Sequence, residues 1–243
     1  MIISASQSAV GQVNVERLRK SADGAHFELG ADFAFRSGNS EYIQLGVAGR
    51  FDYLSGKSHI FTIGNVGYAE SNGSAYKNRA FIHQRFNYAF ARLVTGELFG
   101  QIEQDEFVLL RLRLLGGAGV RLQLIDDDEY TIYLGTGLMV EHEELDESRL
   151  VSHPAVVTPI RSTNYLSIRI RISGSMDILN IIYLQPKLTD PADIRILSDG
   201  RLVFHVSEHV SWSNSILVRH DGIPPANLKT TDVDVKSGLT IRF

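Results

Sequence analysis

The chain has 243 residues, 44% hydrophobic and 21% charged, with a mean hydropathy of −0.04, a formal net charge of −4 and no cysteine. The missing cysteine removes disulfide staples, thiol nucleophiles and thiolate metal sites, and the slightly acidic balance gives no basic footprint for nucleic acid. No apolar run approaches the roughly 18 residues of a spanning helix, so a membrane protein with this sequence would cross with strands.

Residues 1–24 run from MIISASQSAVGQVNV through VNVERLRK to the turn signal Ala22-Asp23-Gly24. They are read as an N-terminal lead-in on the periplasmic side of a membrane, with room for one short strand. The opening lacks the charged and apolar regions of a secretory leader. A barrel reaches an outer membrane only by the secretory path, so the expectation is that the leader is missing from this sequence or that the start is misplaced.

Alternation begins at His26. Phe27, Leu29, Ala31, Phe33 and Phe35 share one parity, and His26, Glu28, Asp32 and Arg36 share the other. Successive side chains of a strand point to opposite faces, so this segment has an apolar face and a charged one. Gly38-Asn39 leads to a second strand at about 41–54, where Ile43, Leu45, Val47, Phe51 and Tyr53 alternate with Gln44, Arg50 and Asp52. The two predict a hairpin. After Ser55-Gly56-Lys57 the next strand is apolar on both parities, and further strands follow at about 76–91 and 92–104.

The clearest pattern spans 108–124, where Val108, Leu110, Leu112, Leu114, Val120, Leu122 and Leu124 oppose Arg111, Arg113, Arg121 and Gln123. It is long beside an ordinary strand of about 5–6 residues and suits a tilted spanning strand with a rim extension. The turn Asp126-Asp127-Asp128 leads to a strand at 129–143. Residues 144–161, with Pro154 and Pro159, are predicted as the longest loop. From Tyr165 to Ser173, Leu166, Ile168, Ile170 and Ile172 oppose Ser167, Arg169 and Arg171. Strands at 176–187, 192–206 and 208–220 follow, then a loop through Pro224-Pro225 and a terminal strand ending on Phe243.

Counted from His26 there are about twelve strands, an even number as in bacterial single-chain barrels, and the two longest loops fall on one side of the membrane when both chain ends lie on the other. Residues 25–243 are therefore predicted to form one all-β domain, a transmembrane antiparallel up-and-down β-barrel with its apolar face toward lipid. A soluble ligand-binding β-barrel would reverse the facing of every strand.

Parity assigns Arg111, Arg113, Arg121, Arg169, Arg171, Arg195 and Arg201 to the lumen with Glu97, Glu103, Glu141, Asp232 and Asp234. These charges either pair and plug the barrel, as buried charges must, or line a path that attracts anions. A barrel of this size can be filled by side chains, which favours the plug.

The run beginning Glu141-His142-Glu143-Glu144 opens like a zincin motif but has Asp146 where the second histidine belongs. Glu141, Glu143 and Glu144 stay as rim carboxylates for a hard divalent cation among lipopolysaccharide phosphates, set against a merely solvated acidic loop. His205 and Ser207 share a parity and suggest a base beside a nucleophile, the alternative being a lipase- or deacylase-like enzyme acting on lipid, with no third residue to orient the histidine. Gly116, Gly117 and Gly119 complete no dinucleotide fingerprint, and no cofactor is expected.

Several landmarks fall in a fixed order: Gly38-Asn39-Ser40, Gly116-Gly117-Ala118-Gly119, Tyr183-Leu184-Gln185-Pro186, Asp193-Ile194-Arg195, Pro224-Pro225 with Asp232, and Gly238-Leu239-Thr240 running to Phe243. Their order and spacing resemble the YdiY-like salt-induced outer-membrane proteins, whose domain is domain of unknown function 481. The resemblance runs over about residues 14–243. Ser40 stands where that family usually has threonine, and Leu184 where a second aromatic is common. The resemblance implies a barrel in the Gram-negative outer membrane, in contact with its lipid and lipopolysaccharide. It also implies that Phe243 acts as a terminal aromatic for the barrel-assembly machinery, and it brings no catalytic residues. The function expected from all this is an envelope structural protein or a narrow, largely plugged pore with an arginine-rich lumen.

Overall fold

The computed structural model describes residues 23–37, 41–150, 153–207, 210–225 and 228–241. Most of the lead-in, the Gly38-Asn39 turn and the terminal Phe243 lie outside them. The strands are β1 (Gly24–Arg36), β2 (Tyr42–Ser55), β3 (Ser58–Ser71), β4 (Ser74–Ala91), β5 (Val94–Asp105), β6 (Leu110–Asp126), β7 (Tyr130–Leu145), β8 (Val156–Val157), β9 (Ile160–Ser173), β10 (Met176–Lys187), β11 (Asp190–His205), β12 (Val210–Asp221) and β13 (Thr231–Ile241). They form one antiparallel sheet in chain order, the two-residue β8 lying off the main path against the end of β7. No α-helix occurs among the described residues.

Turn chemistry fixes the register of the hairpins. Asn72 and Gly73 both adopt left-handed φ, +49° and +76°, as a two-residue turn between twisted strands requires. The Asn72 side chain also accepts the Glu41 N–H at 3.1 Å, tying this turn to the start of β2. At the opposite end Asp127 accepts the N–H groups of Glu129 and Tyr130 at 2.9 and 2.7 Å. The acidic run is thereby a side-chain-stabilised turn of the kind aspartate favours.

Two expectations are corrected. The strand expected from Val108 begins at Leu110. Glu106–Val108 is one 3₁₀ turn, opened by Asp105 accepting from the Phe107 N–H and closed by Leu109 at φ +61°. An irregularity between Leu110 and Leu112 follows, which leaves Arg111 exposed. The loop expected over 144–161 is shorter: β7 runs to Leu145, β8 pairs with Glu143 and Glu144, and β9 starts at Ile160.

Which residues face inward follows the alternation. Phe27, Val47, Leu98, Leu138 and Val235 are exposed, Phe27 at 68% and Val235 at 73%, whereas Arg85, Glu97, Arg113, Glu141 and Arg161 are buried. The sheet curls until its charged face meets itself. The Tyr165 hydroxyl on β9 donates to Glu97 on β5 at 2.8 Å, and Arg85 on β4 lies beside Tyr183 on β10. β4 and β10 are five places apart in the strand order, a separation of about 24 Å in a flat sheet. Up-and-down order places β1's start, the turns 56–57, 92–93, 127–129 and 174–175, and β13's end together. The segments 106–109, 146–150, 153–159, 222–225 and 228–230 lie at the other end, called the loop end below.

Candidate functional site

The interior face carries its charges in levels. Nearest the loop end, three arginines from three strands converge on β7. Arg113 on β6 reaches Glu103 at 3.0 Å and Glu141 at 2.8 Å, and it also binds Glu143. Arg161 on β9 donates to Glu141 at 3.0 Å and to the Asp193 carboxylate at 2.8 Å. Arg195 on β11 spends all three nitrogens, Nε on Asp221 at 3.2 Å, Nη2 on Glu143 at 2.9 Å and Nη1 on Glu141. Glu141 is 1% exposed. Each of these ions is stable away from water only because the others surround it.

The middle level is aromatic as well as charged. Arg85 lies over the rings of Phe61 and Phe99, 5.9 and 5.3 Å from their centroids, with Glu97 3.6 Å away. Such a cation held against ring faces gains a further attraction. Glu97 also accepts from Arg121 at 3.2 Å. His83 is stacked among Phe61, Phe81 and Phe99 and meets Gln101, which donates to Glu103 at 3.1 Å. The hydrogen-bonded network is therefore continuous between the two levels. Beside it, Arg50 and His59 both bind the buried Asp52, at 2.6 and 2.8 Å.

Toward the chain ends the interior opens. Arg201 pairs with Asp199 at 3.0 Å and Arg171 lies 3.6 Å from Asp177, while Arg169 is half-buried. His205 does not meet Ser207. Its ring nitrogens face Asp177 at 2.9 Å and Ser211 at 3.1 Å, and the Ser207 hydroxyl instead accepts the Val210 N–H at 3.1 Å in the turn. Asp177, His205 and Ser211 therefore follow each other like a catalytic triad. Ser211 lies within the ladder, however, paired with His205 on one side and Thr240 on the other. The amides around it serve strand pairing. The three residues act as a strut across β10, β11 and β12.

Of the residues singled out from sequence, Arg113, Arg121, Arg195, Arg201, Glu97 and Glu103 enter ion pairs on the interior face, and Asp234 pairs with Arg219 at 3.1 Å. Arg111 and Asp232 are exposed. Glu141 and Glu143 are not rim carboxylates, because the three arginines occupy them; only Glu144 keeps that exposed position, 3.5 Å from His142. Among the described residues no group of three His, Cys, Asp or Glu is placed to hold a metal. Sequence reasoning missed Arg161, which lay inside the expected loop. Arg85, Tyr165 and Arg219 shared the inward parity without any signal of which partners they would meet.

Above the three-arginine level lies a cavity of about 340 Å³, roofed by residues 223–225 and 228–230 and by Phe107 and Val108. Arg113, Glu143 and Arg195 form part of its floor, and Arg219, His220 and Lys229 are on its wall.

Fold and interior together define the class: an all-β protein built from one curled, up-and-down antiparallel sheet that buries its charges and exposes its apolar side chains. Within that class, residues 27–243 match the family model described as a protein of unknown function, DUF481, and the chain belongs to that family. None of the curated proteins compared with the chain matches it.

Proposed function

We propose that the protein is a β-barrel of the Gram-negative outer membrane, closed by β1 against β13, whose interior is plugged at mid-height so that it serves the envelope as a structural barrel or a narrow pore. The observation that carries this reading is the inverted facing. Phe27, Leu45, Leu98, Leu138 and Val235 are exposed while Arg85, Glu97 and Glu141 are buried. A protein surrounded by water rarely exposes a continuous apolar surface, whereas a membrane barrel turns apolar residues to lipid and polar ones to its lumen. The main strands have 11 to 18 residues, enough for the roughly 9–11 that a tilted spanning strand needs.

On this reading the exposed belt contacts outer-membrane lipid and lipopolysaccharide. The terminal strand with Phe243 is the element offered to the barrel-assembly machinery. Lumen charges, Arg113, Arg121, Arg171, Arg195 and Arg201 among them, neutralise carboxylates first, and Arg169 is half-buried. The ring of Arg85, Phe61, Phe99, Tyr165 and Tyr183 fills the space between, which favours the plugged form. Fractionation followed by planar-bilayer recording tests both parts. The expected result is a protein released from membranes only by detergent, with rare, small, anion-preferring openings or none. Release by salt or carbonate washing would contradict the membrane reading, and large steady conductance would contradict the plug.

A further inference from the structure

The cavity at the loop end is blind on the side of the chain ends. Its floor includes Arg113, Glu143 and Arg195, and the two arginines each bind both Glu143 and Glu141. A volume of about 340 Å³ falls at the lower end of small-ligand pockets, about 300–1,000 Å³, which often occupy the mouths of β-barrels. A blind pocket of this size suits retention of a small molecule better than its passage.

The lining is divided. Val108, Leu145, Ile223, Pro224 and Leu228 supply an apolar wall and roof. The polar side includes one guanidinium whose donors are not all used. Arg219 gives Nη1 to Asp234 at 3.1 Å, while its buried Nε and Nη2 have no partner. Those two nitrogens form the side-on fork that takes a carboxylate or phosphate through two parallel bonds. Of the lining carboxylates, Glu103, Glu143 and Asp221 are committed to Arg113 and Arg195, while Asp232 is exposed and lies opposite Arg219 in the ladder. A second guanidinium, Arg79 on β4, is an electrostatic neighbour of Arg219 with Asp105, Glu103 and Asp234 near it, and Lys229 stands exposed on the cavity wall. Leaving the buried Nε and Nη2 donors of Arg219 without an acceptor is costly.

We infer that the loop-end cavity is a binding site for a short amphipathic anion, one carboxylate or phosphate on an apolar body, with Arg219 taking the charged group and Ile223, Pro224, Pro225 and Leu228 covering the rest. The inference requires the curled sheet but neither conduction nor membrane insertion. Binding requires the Arg219 side chain to rotate so that these two buried nitrogens reach the cavity, a rotamer change of the kind common on ligand binding. The same chemistry is offered by a free metabolite acid and by the end of a lipid.

The test is a titration of the detergent-purified full chain, followed by calorimetry, with hexanoate, butyl phosphate, acetate, inorganic phosphate, hexanol and hexylammonium at constant ionic strength. Saturable binding of hexanoate and butyl phosphate is expected, at least about tenfold tighter than acetate, inorganic phosphate or hexylammonium. Arg219→Gln is expected to weaken both amphipathic anions about tenfold and to leave hexanol unchanged. Ile223→Trp, which fills the cavity without touching the charges, is expected to abolish binding of all ligands. Each variant is compared with wild type by circular dichroism, and the roof variant keeps the test valid if the arginine variant does not fold. Competition between hexanoate and vesicles carrying lysophospholipid separates the sources: displacement assigns the site to lipid ends, its absence to free acids. The inference is overturned if neither amphipathic anion binds saturably, if hexylammonium binds as well as hexanoate, or if the folded variants bind like wild type. None of these results bears on membrane release or conductance, which test the barrel reading separately.

Discussion

Arg195 and Arg219 sit on neighbouring strands near the same end of the molecule and differ in how they are used. Arg195 engages Asp221, Glu141 and Glu143 with its three nitrogens, whereas Arg219 engages one carboxylate with one nitrogen. The first is scaffold, an ion whose removal would strand two buried carboxylates. The second is arranged to accept a partner from outside the chain. An interior face described only as arginine-rich conceals this distinction, because a charge matters for recognition only when neighbouring charges have not consumed it.

The largest effect is expected at the scaffold. Glu141→Ala leaves three arginines without their shared acceptor and is expected to destabilise the protein by about 3–5 kcal/mol, read from urea unfolding in lipid vesicles. A small loss there would mean that water reaches this level and the plug is loose. Next comes the outer face: Leu138→Arg is expected to cost about 2–4 kcal/mol in the same assay if Leu138 lies near the bilayer midplane, with no effect on ligand titration. Arg219→Gln is expected to change stability little, since its partner Asp234 is itself well exposed, while weakening the amphipathic anions about tenfold, or about 1.4 kcal/mol. A reversal, with Arg219 governing stability and Arg195 governing binding, would break the comparison. The smallest effect is expected at the strut. Ser211→Ala removes one hydrogen bond and should cost about 0.5–1.5 kcal/mol, with no loss of labelling by a fluorophosphonate probe, because Ser211 is not expected to react with one.

Much of this arrangement was legible from alternation, since a period of two reports facing whatever the surroundings. Arg113, Arg121, Arg195 and Glu97 could be placed on one face from parity alone. The failures have local causes. Arg111 shares that parity but is exposed because Leu109 takes a left-handed conformation and an irregularity follows it, and a leucine at such a position carries no turn signal. Arg161 was hidden by the prolines around it, although Ile160 already pairs with Val140 on β7. Partner identity was not legible at all. Tyr165 and Glu97 are 68 residues apart and meet only because the sheet curls, and curvature is a property of the whole set of strands. The histidine pairing failed for a related reason: Ser207 is nearer in sequence, but the chain turns there, and cross-strand register delivers Ser211.

The absence of cysteine makes the central claim, that the apolar face meets lipid and the charged face does not, open to direct measurement. Single cysteines introduced at Leu98, Leu138 and Val235, and at Ser167 on the interior face, can carry spin labels in the protein reconstituted into bilayers. The account predicts high accessibility to oxygen and low accessibility to a water-soluble nickel chelate at the first three positions, and low accessibility to both at Ser167. Collision with the nickel chelate at Leu98, Leu138 and Val235 would contradict it, because the exposed apolar face would then be meeting water.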